Sequence, residues 1–255
     1  MTCLSEYGQK YSNIRMCRED GVLELAIHTR GGPAKWGSSP TSLHAELGEA
    51  FLDIARDPEN RVVILTGTGD SFIDAFDRQQ SYPEAGLSSM WPRIYDEGVS
   101  LLQNLLAIPV PMIAAVNGPA LIHAEIPVLC DIVLAADNAE FADLAHFPNG
   151  TVPGDGVHVV WPMLLGPNRG RYFLLTGERI AAVEALRLGV VAEVMPADAL
   201  LPRARELAAR IAAVPTSAAR HTRSLLVREL RRRMLDELPS GLAHEALATL
   251  VTSQG

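Results

Sequence analysis

The first two thirds of the chain alternate between short apolar runs and longer segments with helical spacing. Residues 22–29 (VLELAIHT) alternate between apolar and polar positions, which predicts a strand. Residues 43–56 carry apolar side chains at helical spacing and predict an amphipathic helix. Residues 62–66 (VVILT) are almost continuously apolar and β-branched and are followed by Gly-Thr-Gly, so they predict a strand that is buried on both faces.

The same alternation continues along the chain. Residues 91–108 have helical spacing, whereas residues 112–116 (MIAAV) and 131–137 (DIVLAAD) predict two further buried strands. Strands that alternate with helices imply crossover connections and a layered sheet with helices outside it. The predicted fold class is therefore α/β up to about residue 195.

The pattern changes after Met195 and Pro196. Residues 200–214, 216–238 and 241–251 all have helical spacing, and no strand pattern follows them. We therefore divide the chain into an α/β core, residues 1–195, and a helical region, residues 196–255. An array of amphipathic helices at this place forms either a lid on the sheet or a contact surface between subunits.

Composition and charge exclude several classes of protein. Hydrophobic residues make up 48% of the chain and charged residues 20%, which is typical of globular proteins. A net charge of -8 and a pI near 5.4 provide no basic surface for nucleic acid. There is no signal-peptide pattern and no long apolar stretch, so we expect a cytoplasmic protein without a membrane partner. The three cysteines are too widely spaced to indicate a disulfide framework or a zinc knuckle.

Polar side chains follow two of the predicted strands. His123 and Glu125 interrupt an apolar stretch after the strand at 112–116, and Asp143, His146 and Asp155 lie in a loop rich in glycine and proline after the strand at 131–137. Ligands of layered α/β proteins tend to bind beyond the carboxyl ends of strands. A single histidine in a loop is nevertheless more often structural than catalytic, and Asp155 in Pro-Gly-Asp-Gly can equally favour a turn.

Three segments carry a specific resemblance: TGTGDSF after a strand, then IAAVNGPALIHAEIPVLCDIVLAAD, then AEFADLAHFPNGTVPGDG. In this order and spacing they resemble the crotonase (enoyl-CoA hydratase/isomerase) superfamily across nearly the whole chain. The resemblance implies a crotonase-like spiral of ββα units with a helical carboxyl-terminal part. It also implies homotrimers, which often pair into hexamers.

The departures from that superfamily concern the residues that handle a thioester. CoA-thioester members have a run of glycines after Asn-Gly, and one amide of that run forms half of an oxyanion hole. Here residues 122–124 are Ile-His-Ala, with His123 at the position of the hole glycine. Phe76, in DAFD, brings a bulky side chain to the other half of the hole. Ile126 and His146 stand where the hydratases have the two glutamates that act on water.

With these replacements, the chain resembles the 6-oxocamphor hydrolase branch of the superfamily, whose members are β-diketone hydrolases. The similarity lies in AHFPNG, in VPGDG followed by HVVWP, in NRGRYFLLTG and in GLAHEALA. By this resemblance, His146 and Asp155 form the pair that activates water. His123 and Trp36 hold a substrate carbonyl, and Glu245 completes the site from the carboxyl-terminal helix.

The implied reaction is a water-driven retro-Claisen cleavage of a cyclic or bicyclic β-diketone, which gives a keto acid. Histidine suits the role of base near neutral pH, and a carboxylate on its far ring nitrogen fixes the tautomer; Asp155 is predicted to do this for His146. Phe76 and Phe147 are predicted to face the pocket and to select a compact substrate. No cofactor is expected, and no metal, because the spacing of His123, His146 and Asp155 does not match a metal motif.

Other interpretations remain open at this point. The chain can be a CoA-thioester hydratase or hydrolase, although it lacks the glycine run, or a catalytically silent scaffold whose helices assemble oligomers. Glu245 can be an exposed helix residue, and Trp36 a packing anchor at a loop tip. The remaining histidines are interpreted as surface or packing residues: His28, His44, His158, His221 and His244.

Overall fold

A computed structural model describes residues 2–81 and 87–252. The strands in chain order are β1 (Ile14–Glu19), β2 (Val22–Ile27), β3 (Lys35–Trp36), β4 (Val62–Thr66), β5 (Ala75–Phe76), β6 (Met112–Val116), β7 (Ile132–Ala136), β8 (Glu140–Phe141), β9 (Ile180–Ala181) and β10 (Glu193–Met195). The helices are α1 (Leu4–Tyr7), α2 (Leu43–Arg56), α3 (Leu87–Ala107), α4 (Glu125–Val128), α5 (Val157–Leu165), α6 (Pro167–Thr176), α7 (Ala182–Arg187), α8 (Ala197–Ala212), α9 (Thr216–Leu226) and α10 (Arg228–Thr252).

The main sheet has the strand order β1-β2-β4-β6-β7-β10. Strands β1 and β2 form an antiparallel pair, and the following pairs are parallel with helices between them. Because the parallel strands end at the same edge, the loops after β4, β6 and β7 lie side by side. Isolated bridges join these loops, Ile73 to Ala120 and Ala120 to Phe141. The α/β prediction is thus confirmed.

The two faces of the sheet pack against different layers. Val62 and Ile64 of β4 face α8, while their neighbours Val63 and Leu65 face the larger core on the other side. Helix α8 presents Leu200 and then an alanine on each following turn, at 204, 208 and 212, to the sheet. This spacing of four residues places all four side chains on one stripe of the helix, and small side chains allow a close approach.

Of the last two helices, α10 contributes Leu242, Glu245 and Thr249 to the cavity described below. Helix α10 packs against α3 and α5. Helix α9 is anchored by the buried Arg223, whose Nε lies 2.7 Å from Asp131 Oδ2. The same guanidinium donates hydrogen bonds to the carbonyl groups of Leu106 and Ile108. The ion pair with Asp131 neutralises the buried charge, and the two carbonyl groups pair with part of its N–H groups.

The predicted elements are present in the structure, and the differences lie at their boundaries. The helix at 43–56 and the strand at 62–66 have the bounds predicted, whereas the strand predicted at 22–29 ends at Ile27. The chain predicted as one helix over 216–238 breaks at Val227, whose side chain turns into the protein and whose amide bonds the carbonyls of both Arg223 and Leu225. Helix α10 then continues through Pro239, where a second break was predicted. No helix in the described part of the chain has the length and apolar character that a membrane span requires.

Candidate active site

A cavity of about 620 Å³ collects six of the seven residues that the sequence predicts for the site. These six come from regions far apart in the chain: Trp36, Phe76, His123, His146, Asp155 and Glu245. The remainder of the wall is mainly apolar and includes Trp91, Leu101, Leu102 and Leu242. A largely apolar cavity with a few converging polar groups is the usual form of a small-molecule site.

His123 lies in the loop between β6 and α4 and has an unusual backbone conformation. Its φ is 53°, in the left-handed region that favours glycine. The loop is held there because the amides of Leu121 and Ile122 both donate to the carbonyl of Ile73. The imidazole stacks on Trp36, with ring centroids 3.9 Å apart. The strain at His123 is thus compensated by the surrounding structure, as is typical of functional positions.

This conformation predicts a stability difference between two variants that both lack the imidazole. In His123→Ala the Cβ remains in the left-handed region, whereas His123→Gly removes that strain. The glycine variant should therefore be the more stable of the two by about 1 kcal/mol. Urea unfolding of the two proteins at the same pH measures the difference. An alanine variant as stable as the glycine variant would contradict the left-handed conformation.

Asp155 lies between two imidazole rings. Its Oδ2 is 2.8 Å from His123 Nδ1 and 3.2 Å from His146 Nε2. The ring centroids of His123 and His146 are 5.4 Å apart, and the rings are nearly perpendicular. Both rings therefore share one compartment and can contact the same small ligand.

Each imidazole also contacts a carboxylate of its own. His146 Nδ1 is 2.6 Å from Asp143 Oδ1, and His123 Nδ1 is 2.9 Å from Glu125 Oε1. The exposed fractions of Asp143 and Glu125 are 1% and 2%. Sequence reasoning noted both residues in the loops but gave neither a role. The signal for Asp143 was its position three residues before His146, which brings the two side chains together in a turn.

Glu245 reaches the cavity from α10 because two glycines allow a close backbone contact. A Cβ added at Gly154 would lie 2.2 Å from the carbonyl oxygen of Gly241, so no side chain fits there. This contact docks α10 on the loop that carries Asp155. Glu245 follows Gly241 by one helical turn and lies on the same face. Its Oε2 is shielded from solvent and has no hydrogen-bond partner among the described residues.

The charges of this cluster shift the pKa values of its members. Burial acts to lower the pKa of His123, but the charges of Glu125 and Asp155 outweigh burial and raise it to about 9. The pKa of His146 also lies well above its usual value, since Asp155 and Asp143 outweigh burial. Burial acts to raise the pKa of Asp155, but the two imidazolium charges hold it well below its usual value. At neutral pH, two imidazolium ions therefore flank one carboxylate.

Glu245 behaves differently from Asp155. Burial, followed by the nearby charge of Asp155, raises the pKa of Glu245 to about 8. Glu245 therefore keeps its proton at neutral pH and can donate a hydrogen bond into the cavity. Asp155 and Glu245 thus have different protonation states in the same cavity, which general acid-base chemistry requires.

The structure corrects the prediction for Phe147. This side chain is 50% exposed and is not part of the cavity wall, whereas Phe76 lines it. The reason is local. Residues Phe147–Asn149 form a single 3₁₀ turn that begins directly after His146, and this turn directs His146 inward and its neighbour outward. The prediction treated two adjacent residues of a loop as though they faced the same way.

His44 has a larger place in the site than its interpretation as a surface or packing residue gave it. It lies in the cavity wall, with its ring centroid 5.3 Å from that of Trp36. Burial and the charge of His123 lower the pKa of His44 to about 3. His44 is therefore a neutral imidazole that lies near a charged one.

Three of these residues have the donor types of a transition-metal site. One ring nitrogen each of His123 and His146 and a carboxylate oxygen of Asp155 all lie within 4.8 Å of one another. A metal ion binds only deprotonated imidazole nitrogen. The raised pKa values of both imidazoles mean that an ion would have to displace two bound protons. The cluster in its charged state is therefore a poor metal site.

Comparison with known proteins identifies related sequences. A sequence model described as "Enoyl-CoA hydratase/isomerase" matches residues 32–246. The chain is 36% identical over 202 residues to a carnitinyl-CoA dehydratase of Citrobacter koseri, covering 78% of this chain and 74% of the relative. It is 33% identical to the protein of the same name in Shigella flexneri, with the same coverage.

Solved structures give a second comparison. A β-diketone hydrolase from the cyanobacterium Anabaena, bound to (S)-3-oxocyclohexyl acetic acid, is 43% identical, with a TM-score of 0.91 and 96% of each chain covered. An enoyl-CoA hydratase/isomerase from Mycobacterium paratuberculosis is 27% identical, with a TM-score of 0.84, covering 93% of this chain and 94% of the other. The fold is that of these proteins.

Proposed function

The chain belongs to the enoyl-CoA hydratase/isomerase family, and we propose that it hydrolyses a carbon-carbon bond of a cyclic or bicyclic β-diketone. Proteins that share a fold can catalyse different reactions, so the argument for this activity comes from the residues of the site. The single observation that carries the proposal is the position of Asp155 between His123 and His146 at the cavity wall. The proposal also draws support from the similarity to the β-diketone hydrolase of Anabaena.

In the proposed complex, one carbonyl of the substrate accepts hydrogen bonds from both His123 and Trp36. The charged imidazole of His123 and the indole N–H of Trp36 are both donors, and their rings stack against each other at the cavity wall. Each well-placed donor that bonds a developing oxyanion lowers the barrier by about 2 to 4 kcal/mol. Phe76 and the apolar wall favour a compact hydrocarbon frame.

The proposed reaction proceeds from the form of the protein in which His146 has lost its Nε2 proton, a minority at neutral pH because the pKa of His146 is raised. Water adds to the other carbonyl while His146 Nε2 takes a proton from the water, and Asp155 stabilises the imidazolium that forms. The tetrahedral intermediate then collapses, the carbon-carbon bond breaks, and its electrons form an enolate on the carbonyl held by His123 and Trp36. The imidazolium of His146 returns the proton to the enolate carbon. One water is consumed, and the product is a keto acid. Glu245 donates a hydrogen bond to an oxygen of the reacting carbonyl.

The carnitinyl-CoA dehydratases, at 33% and 36% identity, favour a second candidate, a CoA-thioester hydratase or dehydratase. The side chain at residue 123 argues against this candidate, because by the resemblance an imidazole stands where CoA-thioester members have the glycine of the oxyanion hole. The two candidates are separated by ligand binding. A ligand that binds the native state raises Tm, so acyl-CoA should leave Tm unchanged and a bicyclic diketone should raise it.

The test of the proposed function is an assay of cyclic and bicyclic 1,3-diketones that follows the loss of diketone absorbance. We expect turnover of a bicyclic member and none of crotonyl-CoA, and we expect full activity after dialysis against EDTA. The variant Glu140→Gln, which alters a carboxylate on the surface near the loop that carries His146, should keep the wild-type activity. Turnover of the thioester alone would favour the second candidate, and loss of both activities would favour a silent scaffold.

We also propose that α9 and α10 form a contact between copies of the chain. Large apolar side chains on these helices are more than half exposed, namely Leu225, Leu226, Leu235, Leu247 and Val251. Exposed apolar side chains at this density are typical of an interface. Sedimentation equilibrium should give a mass three or six times that of one chain, and a monomer at micromolar concentration would exclude the proposal.

A further inference from the structure

Asp143 lies outside the cavity wall and contacts His146 from behind. We propose that Asp143 is a positioning residue that keeps the proton of His146 on Nδ1, so that Nε2 is the nitrogen that exchanges a proton with water. This inference rests on the proposed function, since it concerns the same histidine. It assigns to Asp143 the role of fixing the tautomer of His146, which the sequence predicted for Asp155.

The backbone holds Asp143 firmly in place. The amide of Ala142 donates to the carbonyl of Ala120, and the amide of Leu144 donates to the carbonyl of Leu121. Asp143 therefore lies between two hydrogen bonds to the loop that carries His123. Its Oδ1 is 2.6 Å from His146 Nδ1, and both side chains are almost completely buried.

The chemistry of the two groups fixes the tautomer. A neutral imidazole has one nitrogen that donates and one that accepts, whereas a carboxylate only accepts. The nitrogen that faces Asp143 therefore keeps its hydrogen when the ring carries a single proton. His146 Nε2, at 3.2 Å from Asp155 Oδ2, is the nitrogen that gives up its proton.

Asp155 cannot perform this positioning role alone, because it is shared. Its Oδ2 contacts both His123 and His146, and it lies on the side of His146 that faces the cavity. A carboxylate at this place is next to the reacting water. Asp143 contacts only the opposite ring nitrogen, does not line the cavity, and so acts on the reaction through His146.

The titration of His146 depends on every charged group that acts on it within the described part of the chain. These groups are Asp143 at Nδ1, Asp155 at Nε2, the ring of His123, and the carboxyl groups of Glu125 and Glu245. Asp143 is the most closely placed of them. Removing its charge while keeping its shape should therefore lower the pKa of His146 more than the loss of a remote charge would.

The experiment compares Asp143→Asn with Glu140→Gln, an exposed carboxylate three residues earlier. Asparagine keeps the size and an acceptor oxygen of aspartate but not its charge. We expect kcat for the diketone to fall at least about 10-fold with little change in KM, because tautomer control in a triad is worth more than this. Nitrogen-15 NMR of the histidine rings in the ligand-free protein should show that the pKa of His146 falls by about 1 unit or more. Glu140→Gln should change neither quantity.

The two readouts separate this inference from the proposed function. If Asp143→Asn lowers only Tm, and the NMR titration of His146 stays as in the wild type, Asp143 is structural and the inference is overturned. If the NMR titration moves but the wild-type protein cleaves no diketone, the positioning of His146 stands and the proposed function fails. The resonances of His146 are assigned as those that are absent from the spectrum of His146→Gln.

Discussion

Replacing Asp155 by asparagine is expected to lower kcat/KM for β-diketone cleavage by a factor of about 100 or more. The physical reason is that the carboxylate of Asp155 contacts both imidazoles. Asparagine is close in size, so the cavity keeps its shape, but both imidazolium ions lose their shared counter-charge. The measurement is kcat/KM for a bicyclic diketone at a series of pH values between 6 and 10. The pH at which activity falls on the alkaline side should be lower in the variant, because the imidazolium ions have lost the charge that raised their pKa values.

The matched control for Asp155 is Asp131→Asn, which removes a carboxylate that pairs with the buried Arg223 of α9, away from the cavity. This variant should lose stability and keep its rate per folded molecule. Wild-type rates in Asp155→Asn would remove Asp155 from the mechanism. Equal losses of rate in the two variants would show that folding, and not chemistry, limits both.

Replacing His146 is expected to have a comparable effect on turnover, about 100-fold or more, because in the proposed mechanism His146 passes the proton between the water and the enolate carbon. His146→Ala carries a second effect. It leaves Asp143, which is 1% exposed, as a buried charge without a partner, and loss of one member of a buried ion pair costs about 3 to 5 kcal/mol.

His146→Gln separates the two effects. Its side-chain amide can donate a hydrogen bond to Asp143 but cannot take a proton from water. We expect His146→Gln to unfold in urea at a higher concentration than His146→Ala, with the same low turnover. A glutamine variant that regains the wild-type rate would show that His146 serves packing alone.

The sequence predicted the elements whose pattern is set by local burial. The strand at 62–66 is apolar because both of its faces are covered, and the helix at 43–56 has one apolar stripe, so both patterns are visible without the fold. The break at Val227 was not visible in the helical spacing, and neither was the contact of the nearby Arg223 with Asp131, more than 90 positions earlier in the chain. Such contacts leave no periodic signal.

The sequence predicted which residues belong to the site more completely than it predicted how these residues contact one another. Resemblance named His123, His146, Asp155 and Glu245, and the cavity contains all four. It did not show that Asp155 bridges the two imidazoles, because the direction of a side chain in a loop depends on turns such as the one after His146. Phe147 was misplaced for this reason, and Asp143 was overlooked because its partner nitrogen was assigned to Asp155.

The left-handed backbone of His123 links the fold to the proposed chemistry. A conformation that glycine adopts readily holds here an imidazole that stacks on Trp36 and pairs with Glu125. In the proposed mechanism the side chain of this residue, and not a backbone amide, donates to the substrate oxygen.

The most direct test of the account is the fate of oxygen from labelled water. The wild-type protein is incubated with a bicyclic 1,3-diketone in water enriched in oxygen-18, and the masses of the product fragments are measured by mass spectrometry. We expect one labelled oxygen in the carboxyl group of a keto acid, formed by the wild type and not by Asp155→Asn above the uncatalysed rate. A carboxyl group without label, or equal cleavage by the variant, would contradict it.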